Sequence, residues 1–196
     1  YINLIKGNFK RSYSIANAPK ENNSLELFIK KYKNGLMSHY IFNEARENDL
    51  LRIEGPIGSF ILRESTSENI IFLATGTGIA PIKAILEQVS QNKHKYIDKQ
   101  FSLFWGARFK EDIFWDPNEL LINNLKFFKV LSKESKPFKG YKGYVQEAVI
   151  QEKINLTDAQ VYACGSMDMI LSAKETLLKE SLKAHDFFSD AFIESN

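Results

Sequence analysis

One cysteine, Cys164, stands in 196 residues, and that scarcity excludes an intrachain disulfide framework and any iron–sulfur cluster held by cysteines of this chain. Long apolar runs are missing too. Nothing in the sequence approaches the roughly 20 residues that span a bilayer, so no membrane partner is expected. Charge of one sign is also lacking: 26 Lys and Arg against 24 Asp and Glu leave a formal +2, too little to argue for nucleic acid. Lys30, Lys31 and Lys33 read as a solvated face, not a polyanion groove. The three histidines, His39, His94 and His185, have neither metal-ligand spacing nor a place in a serine–histidine–aspartate order, and no metal is expected. What remains is ordinary for a globular chain, 44% hydrophobic and 26% charged, long enough for one domain or two small ones. Tyr1–Ile5 already reads as a strand with no signal peptide before it, as if the chain opened in mid-domain. An upstream part and a cytoplasmic setting are the expectations.

The pattern changes character near residue 66. Before it, short strand-like runs (Tyr1–Ile5, Arg11–Ala16, Leu25–Lys30, Leu50–Glu54, Phe60–Arg63) alternate with turn residues such as Gly7-Asn8, Pro19 and Gly55-Pro56. One helical interruption fits Met37–Ala45. A polar linker, Glu64–Asn69, follows. Beyond it, buried-type strands (Ile70–Ala74, Phe101–Trp105, Phe128–Leu131, Gln160–Cys164 and Phe187–Ser189) alternate with helices at Pro81–Val89, Asn118–Asn123, Tyr144–Glu152 and Asp168–Lys183. Such alternation implies right-handed crossovers and a parallel sheet covered on both faces. The expected fold is therefore a two-domain α+β chain. A partial antiparallel β-barrel spans 1–66, and a doubly wound α/β domain of five parallel strands spans 67–196.

Five short segments carry the chemistry. Gly76-Thr77-Gly78-Ile79-Ala80-Pro81 follows an apolar strand and opens a helix; its glycines let backbone approach a pyrophosphate, and the helix start offers free N–H donors. The third glycine of the usual dinucleotide fingerprint is absent, and so is the GK[ST] of a P-loop, which leaves an ordinary tight strand–helix turn open as an alternative. In Arg11-Ser12-Tyr13-Ser14 a strand would put Arg11 and Tyr13 on one side, a cationic fork and a flat aromatic suited to a phosphate and a ring system, or simply a surface stack. Gly35-Leu36-Met37-Ser38 places Gly and Ser at a helix start, an anion site or a plain cap. Cys164, followed by Gly165 and Ser166, ends a parallel strand where α/β sheets bind ligands; the helix beyond would favour a polarised thiol, and core filling is the alternative. Phe187, Phe188 and Phe192 close the chain as core packing or as a wall beside a flat ligand.

These segments, in this order and at these intervals, resemble the ferredoxin–NADP reductase superfamily of flavoenzymes over nearly the whole chain. RSYS is similar to the R-x-Y-[ST] flavin motif, GLMS to a second flavin-phosphate segment, and GTGIAP to the nicotinamide pyrophosphate loop. CGS is similar to the Cys-Gly pair near the nicotinamide, and SDAF to the segment closing over the flavin. Runs such as EGPIGSFILRE and LATGTGIAPIKAILE resemble CDP-6-deoxy-glucoseen reductases, reductase components of aromatic-ring oxygenases, and NAD(P)H-flavin reductases. Against that pattern the first barrel strands and the cysteine-rich [2Fe–2S] domain of many relatives are missing.

The resemblance implies a flavin oxidoreductase that takes a hydride from NADH or NADPH onto FAD, with FMN the lesser choice, and hands electrons to an acceptor. That acceptor would be an iron–sulfur centre, present in this protein only if an upstream domain carries it, or a partner protein, with deoxysugar biosynthesis as one setting. Two alternatives are a reductase that uses free flavin as substrate and a non-catalytic electron-transfer subunit. By resemblance, Arg11 pairs with flavin phosphate, Tyr13 lies against the ring, and Ser14 sits near its reacting nitrogen. Gly35, Met37 and Ser38 hold the flavin pyrophosphate through backbone N–H groups. Thr75, Gly76, Thr77 and Gly78 cradle the nicotinamide dinucleotide, with Cys164, Gly165 and Ser166 by the nicotinamide and Asp190 a polar contact near the reacting rings. Phe109 and Lys110, after Gly106-Ala107-Arg108, lie where the adenosine ribose is read, and the basic residues there are Arg108 and Lys110. Their charge permits NADPH, while the resemblance points slightly to NADH.

Overall fold

The structure, a computed structural model, describes residues 1–192, with backbone alone at Phe192. Two sheets account for its strands: a three-stranded antiparallel one and a six-stranded parallel one. In the first, β1 (Ile2–Lys6) lies between β2 (Phe9–Tyr13) and β3 (Arg52–Glu54). The turn Gly7-Asn8, with Gly7 at φ +55°, pairs Lys6 with Phe9, so β2 starts two residues earlier than the sequence suggested. That register sets Leu4 opposite Arg11 and Ile2 opposite Tyr13, which confirms that Arg11 and Tyr13 share one face. Ser12 turns to the other face, where its hydroxyl donates to Asn3 Oδ1 at 2.7 Å.

A short helix, α1 (Leu36–His39), packs against β2 and continues as a π turn over Tyr40–Glu44, in place of the single helix expected over Met37–Ala45. Leu4, Met37 and Tyr40 form a small core there, with Tyr13 against it. Two expected strands are absent from the sheet. Leu25–Lys30 contributes only an isolated bridge, Ile15 to Leu27, and Phe60–Arg63 gives its backbone to the second unit instead: Arg63 N–H donates to the Tyr162 hydroxyl at 2.9 Å. With so few strands, apolar side chains stay outside, Leu50 being 93% exposed and Ile53 47%.

The second unit is the larger. β4 (Asn69–Thr75), β5 (Gln100–Ala107), β6 (Leu125–Leu131), β8 (Ala159–Ser166) and β9 (Phe187–Phe192) are the five expected strands, each somewhat longer than foreseen. A sixth, β7 (Tyr141–Lys142), pairs with Val130 and Leu131; two residues leave no periodicity to read. Helices are α2 (Ile79–Gln91), α3 (Val145–Gln151) and α4 (Met167–Lys179). The helix expected at Asn118–Asn123 is a 3₁₀ turn, Pro117–Leu120, capped by Asp116 and ended by Leu121 in the left-handed region. In α4 the helix stops at Lys179 rather than Lys183, and Ser181 turns away at φ +76°.

Strand alternation sorts side chains into two cores, the reason these strands read as unbroken apolar runs. Ile70, Phe72, Phe101, Leu103, Trp105, Tyr162 and Cys164 meet α2 on one face, while Ile71, Leu73, Phe104, Val161 and Ala163 meet α3 and α4 on the other. The first unit docks on the α2 face. Its Phe28, Phe60 and Leu62 pack against that core. No helix among the described residues is long and apolar enough to cross a membrane.

Candidate functional site

The strand order β7-β6-β5-β4-β8-β9 reverses direction at one place. From β4 the chain steps outward through β5, β6 and β7, then returns to lay β8 on the opposite side of β4. The crevice beyond the carboxyl ends of β4 and β8 is therefore the switch point where open α/β sheets take ligands. Thr75 to Gly78 leave β4 there, and Cys164 to Ser166 end β8 beside them.

The two loops are in backbone contact. A Cβ on Gly78 would lie 2.1 Å from the Cys164 carbonyl oxygen, and one on Gly165 would lie 2.0 Å from Thr75 Oγ1. Thr75 Oγ1 also accepts from Ser166 N–H at 3.3 Å. Gly78 is thus glycine because the neighbouring strand presses on it. Gly76 is the glycine that faces open space: its φ is +53°, and a Cβ there would meet nothing within 4 Å. Behind the loop, buried Trp105 donates its indole N–H to the Gly76 carbonyl at 3.1 Å. One 3₁₀ turn, Gly76–Gly78, leads directly into the 13-residue α2, with Ile79 N–H donating to the Thr77 carbonyl. An open, left-handed glycine before a helix start fits a dinucleotide's pyrophosphate. At the start of α4, Ser166 is committed as a cap, its Oγ accepting from Met169 N–H.

Three residues far apart in sequence converge beside this crevice. Cys164 and Asp190 are register partners on β8 and β9, and Ser14, just past the end of β2, lies near enough for its hydroxyl to act on the Asp190 carboxyl. Burial pushes the Asp190 carboxyl up from the ordinary aspartate range, against the pull of the N-terminal ammonium and, less, of the Ser14 hydroxyl. Burial, reinforced by the Asp190 charge, pushes the Cys164 thiol well up. The polarised thiol expected from the nearby helix is therefore overturned: Cys164 is fully buried and stays neutral.

On the first unit, Arg11 is exposed, and among the described residues it makes no ion pair, its guanidinium donating only to the Lys10 carbonyl at 2.9 Å. Tyr13 is half-buried, and burial raises its phenol pKa against the pull of Arg11. The Met37 side chain is in the small core, and Ser38 Oγ accepts from Tyr32 N–H at 3.1 Å, so both side chains are occupied structurally. What α1 offers is its unpaired first-turn amides, next to β2. A free guanidinium, a half-buried aromatic, open amides and the Ser14 hydroxyl suit a flavin with its diphosphate.

Other expected residues lie apart from the junction. Arg108 is exposed past the end of β5, where its carbonyl accepts from Lys133 N–H, and Lys110 N–H donates to Glu134. Phe187 fills the α4-side core, and Phe188 stacks on Tyr162 at 5.0 Å beneath Arg63, so both are packing residues. The side chain of Phe192 lies outside the described residues. Sequence reasoning passed over Lys83, buried on α2 and bonded to Glu26 and Glu87. Its signal was there: a lysine one turn after Ile79 falls on the apolar stripe of the helix.

A doubly wound parallel sheet with a ligand crevice at its switch point, and an antiparallel unit docked on its α2 face, define a two-unit protein of nucleotide-binding α/β type. The chain belongs to the Oxidoreductase NAD-binding domain family, whose model matches residues 72–175, and the Oxidoreductase FAD-binding domain matches residues 1–61. Over 198 residues it is 40% identical to the CDP-6-deoxy-L-threo-D-glycero-4-hexulose-3-dehydrase reductase of Yersinia pestis, covering 100% of this chain and 59% of that protein. A probable flavin reductase of Aliivibrio fischeri is 29% identical, with 93% of this chain and 80% of that one covered. In fold it is similar to a ferredoxin NADP+ reductase from Neisseria gonorrhoeae with bound FAD and NADP, at TM-score 0.80 and 20% identity over 97% of this chain and 83% of that one.

Proposed function

We propose that this chain is the flavin- and nicotinamide-binding part of a cytoplasmic reductase, with a flavin unit over 1–66 and a nicotinamide unit over 67–196. It accepts a hydride from NADH or NADPH onto FAD and passes electrons to an iron–sulfur centre or partner protein. The observation that supports this reading is the meeting of Ser14 from one unit with Asp190 and Cys164 from the other, at the switch point of the sheet. The Yersinia relative makes a deoxysugar dehydrase the favoured setting.

Bound flavin and nicotinamide supply the hydride and electron chemistry; this chain positions them. Arg11 and the α1 amides anchor the flavin diphosphate, with Tyr13 against the ring. Thr75, Gly76 and Thr77 orient the dinucleotide from the other side, with Gly78 packed on β8 to hold the loop in place, while Arg108 lies toward its adenosine end. Ser14 Oγ, beside Asp190, presents a hydroxyl to the reacting ring edge. The neutral Cys164 thiol, with Gly165 and Ser166 beside it, keeps the nicotinamide pocket dry and flat.

Titration with FAD, followed by anaerobic addition of NADH or NADPH while flavin absorbance is recorded, tests the reading. Arg11→Ala is expected to weaken flavin retention about ten- to a hundredfold, the loss of one charge-assisted contact of roughly 1.5–3 kcal/mol. Arg52→Ala, on the exposed edge strand β3, is expected to leave it unchanged. Equal flavin affinity in both variants overturns the assignment. A second reading, reduction of free flavin, draws on the Aliivibrio relative and its fuller coverage. Flavin lost on gel filtration but reduced catalytically with excess nicotinamide would favour it.

A further inference from the structure

The first unit reaches the second through one buried cation. Lys83 lies on α2, one turn beyond the Gly76–Gly78 loop, and is only 6% exposed. Its ammonium has three partners: the Ala16 carbonyl at 3.1 Å, Glu26 Oε2 at 2.8 Å, and Glu87 Oε1 one turn along the helix. Glu87 is itself shared, its other oxygen accepting from Ala18 N–H at 2.9 Å. Ala16 N–H in turn donates to the Glu26 carbonyl at 2.8 Å. The rings of Phe28 and Trp115 each come within 5.9 Å of the ammonium and shield it. All three donor positions of the lysine are used.

The placement of this knot is informative. Ala16 is two residues beyond Ser14, the hydroxyl that meets Asp190, and Lys83 is five beyond Gly78, which packs on Cys164. Short, rigid stretches therefore run from one ammonium to both sides of the reacting crevice. A buried pair is weak evidence of stability, because its desolvation offsets its attraction; its better-attested use is to fix one arrangement over others. Resting on the reading above, we propose that Lys83 is a positioning residue: it sets the register between the flavin-facing segment at Ser14 and the nicotinamide loop, and so the distance across which hydride passes.

Register errors of an ångström at a reacting pair cost rate without costing binding. In the flavin-loaded chain, Lys83→Met is expected to slow anaerobic flavin reduction at saturating nicotinamide about tenfold or more, with the nicotinamide dissociation constant within about twofold of wild type. Hydrogen exchange at the Ala18 amide, read on the chain without cofactors, is expected to accelerate at least as much. Lys83→Arg, which can still bridge Glu26 and Glu87, is expected to recover part of both effects. Because Lys83→Met leaves the largely buried Glu87 carboxylate, and the more open Glu26, without a cation, the double variant Lys83→Met/Glu87→Gln is made alongside it. It is expected to regain thermal stability while its reduction rate stays low. A double variant that regains stability and rate together would show Lys83 to be a stabilising residue only. Wild-type protein that binds no flavin would instead overturn the reading, and Ala18 exchange would still report on the clamp.

Discussion

At Asp190 the sequence shows an acidic residue and the structure shows it half-buried opposite Cys164. Burial raises its carboxyl above the unfolded value, so the folded state binds that proton more tightly. Its contribution to stability then falls as pH rises from the ordinary aspartate range near 3.9 through the raised value. Asp190→Asn removes this loss: the Tm advantage of the variant over wild type is expected to widen between pH about 4 and neutrality. A difference that stays flat across that range counts against a buried, protonatable carboxyl. Cys164 makes a companion case. Its thiol is buried and pushed well up, so a disulfide reagent at neutral pH is expected to modify the native chain about tenfold or more slowly than the urea-unfolded one. Fast native labelling would return the polarised-thiol reading.

At the scale of single elements, the loop between β4 and α2 shows how two glycines two positions apart do different work. Gly78→Ala would drive a Cβ into the Cys164 carbonyl, a backbone atom that cannot step aside. A loss of about 3 kcal/mol or more is expected by thermal or urea unfolding. Gly76→Ala meets no atom; it carries only the left-handed backbone cost, about 1 kcal/mol. It is expected to fold while placing a methyl group in the mouth of the loop, raising the nicotinamide dissociation constant. The reverse ranking in stability would mean that the loop packs differently from the structure. Other elements shifted for similar local reasons. The hairpin turn at Gly7 fixed where β2 begins, and Arg63 spent its amide on Tyr162 rather than on a sheet ladder.

Across the whole molecule, the two units are joined by a linker that is less free than its composition suggests. Lys99, half-buried, donates to the carbonyls of Ser65 and Ser67, both at 2.7 Å, and so ties the polar stretch to the rim of the larger sheet. Nearby Lys95 pairs with Glu64, but in full solvent, where such a pair contributes little. Cleavage by a glutamate-specific protease at Glu64 and Glu68 is therefore expected to speed up several-fold in Lys99→Met and hardly at all in Lys95→Met. Equal sensitivity would show that the linker is held by its ends alone.

Sequence by itself determined the larger sheet, its five principal strands and the loop that ends β4. Those features rest on local signals: apolar runs buried on both faces, a glycine pair before a helix, a cysteine-glycine step at a strand end. Tertiary structure decided the rest, because the rest depends on neighbours distant in the chain. That β8 returns beside β4, that Ser14 reaches Asp190 across 176 positions, and that Gly78 yields to a carbonyl of another strand are facts of packing. Lys83 shows the divide most plainly. One lysine on an apolar stripe hints at burial, but only the folded chain brings Glu26 and the Ala16 carbonyl to meet it.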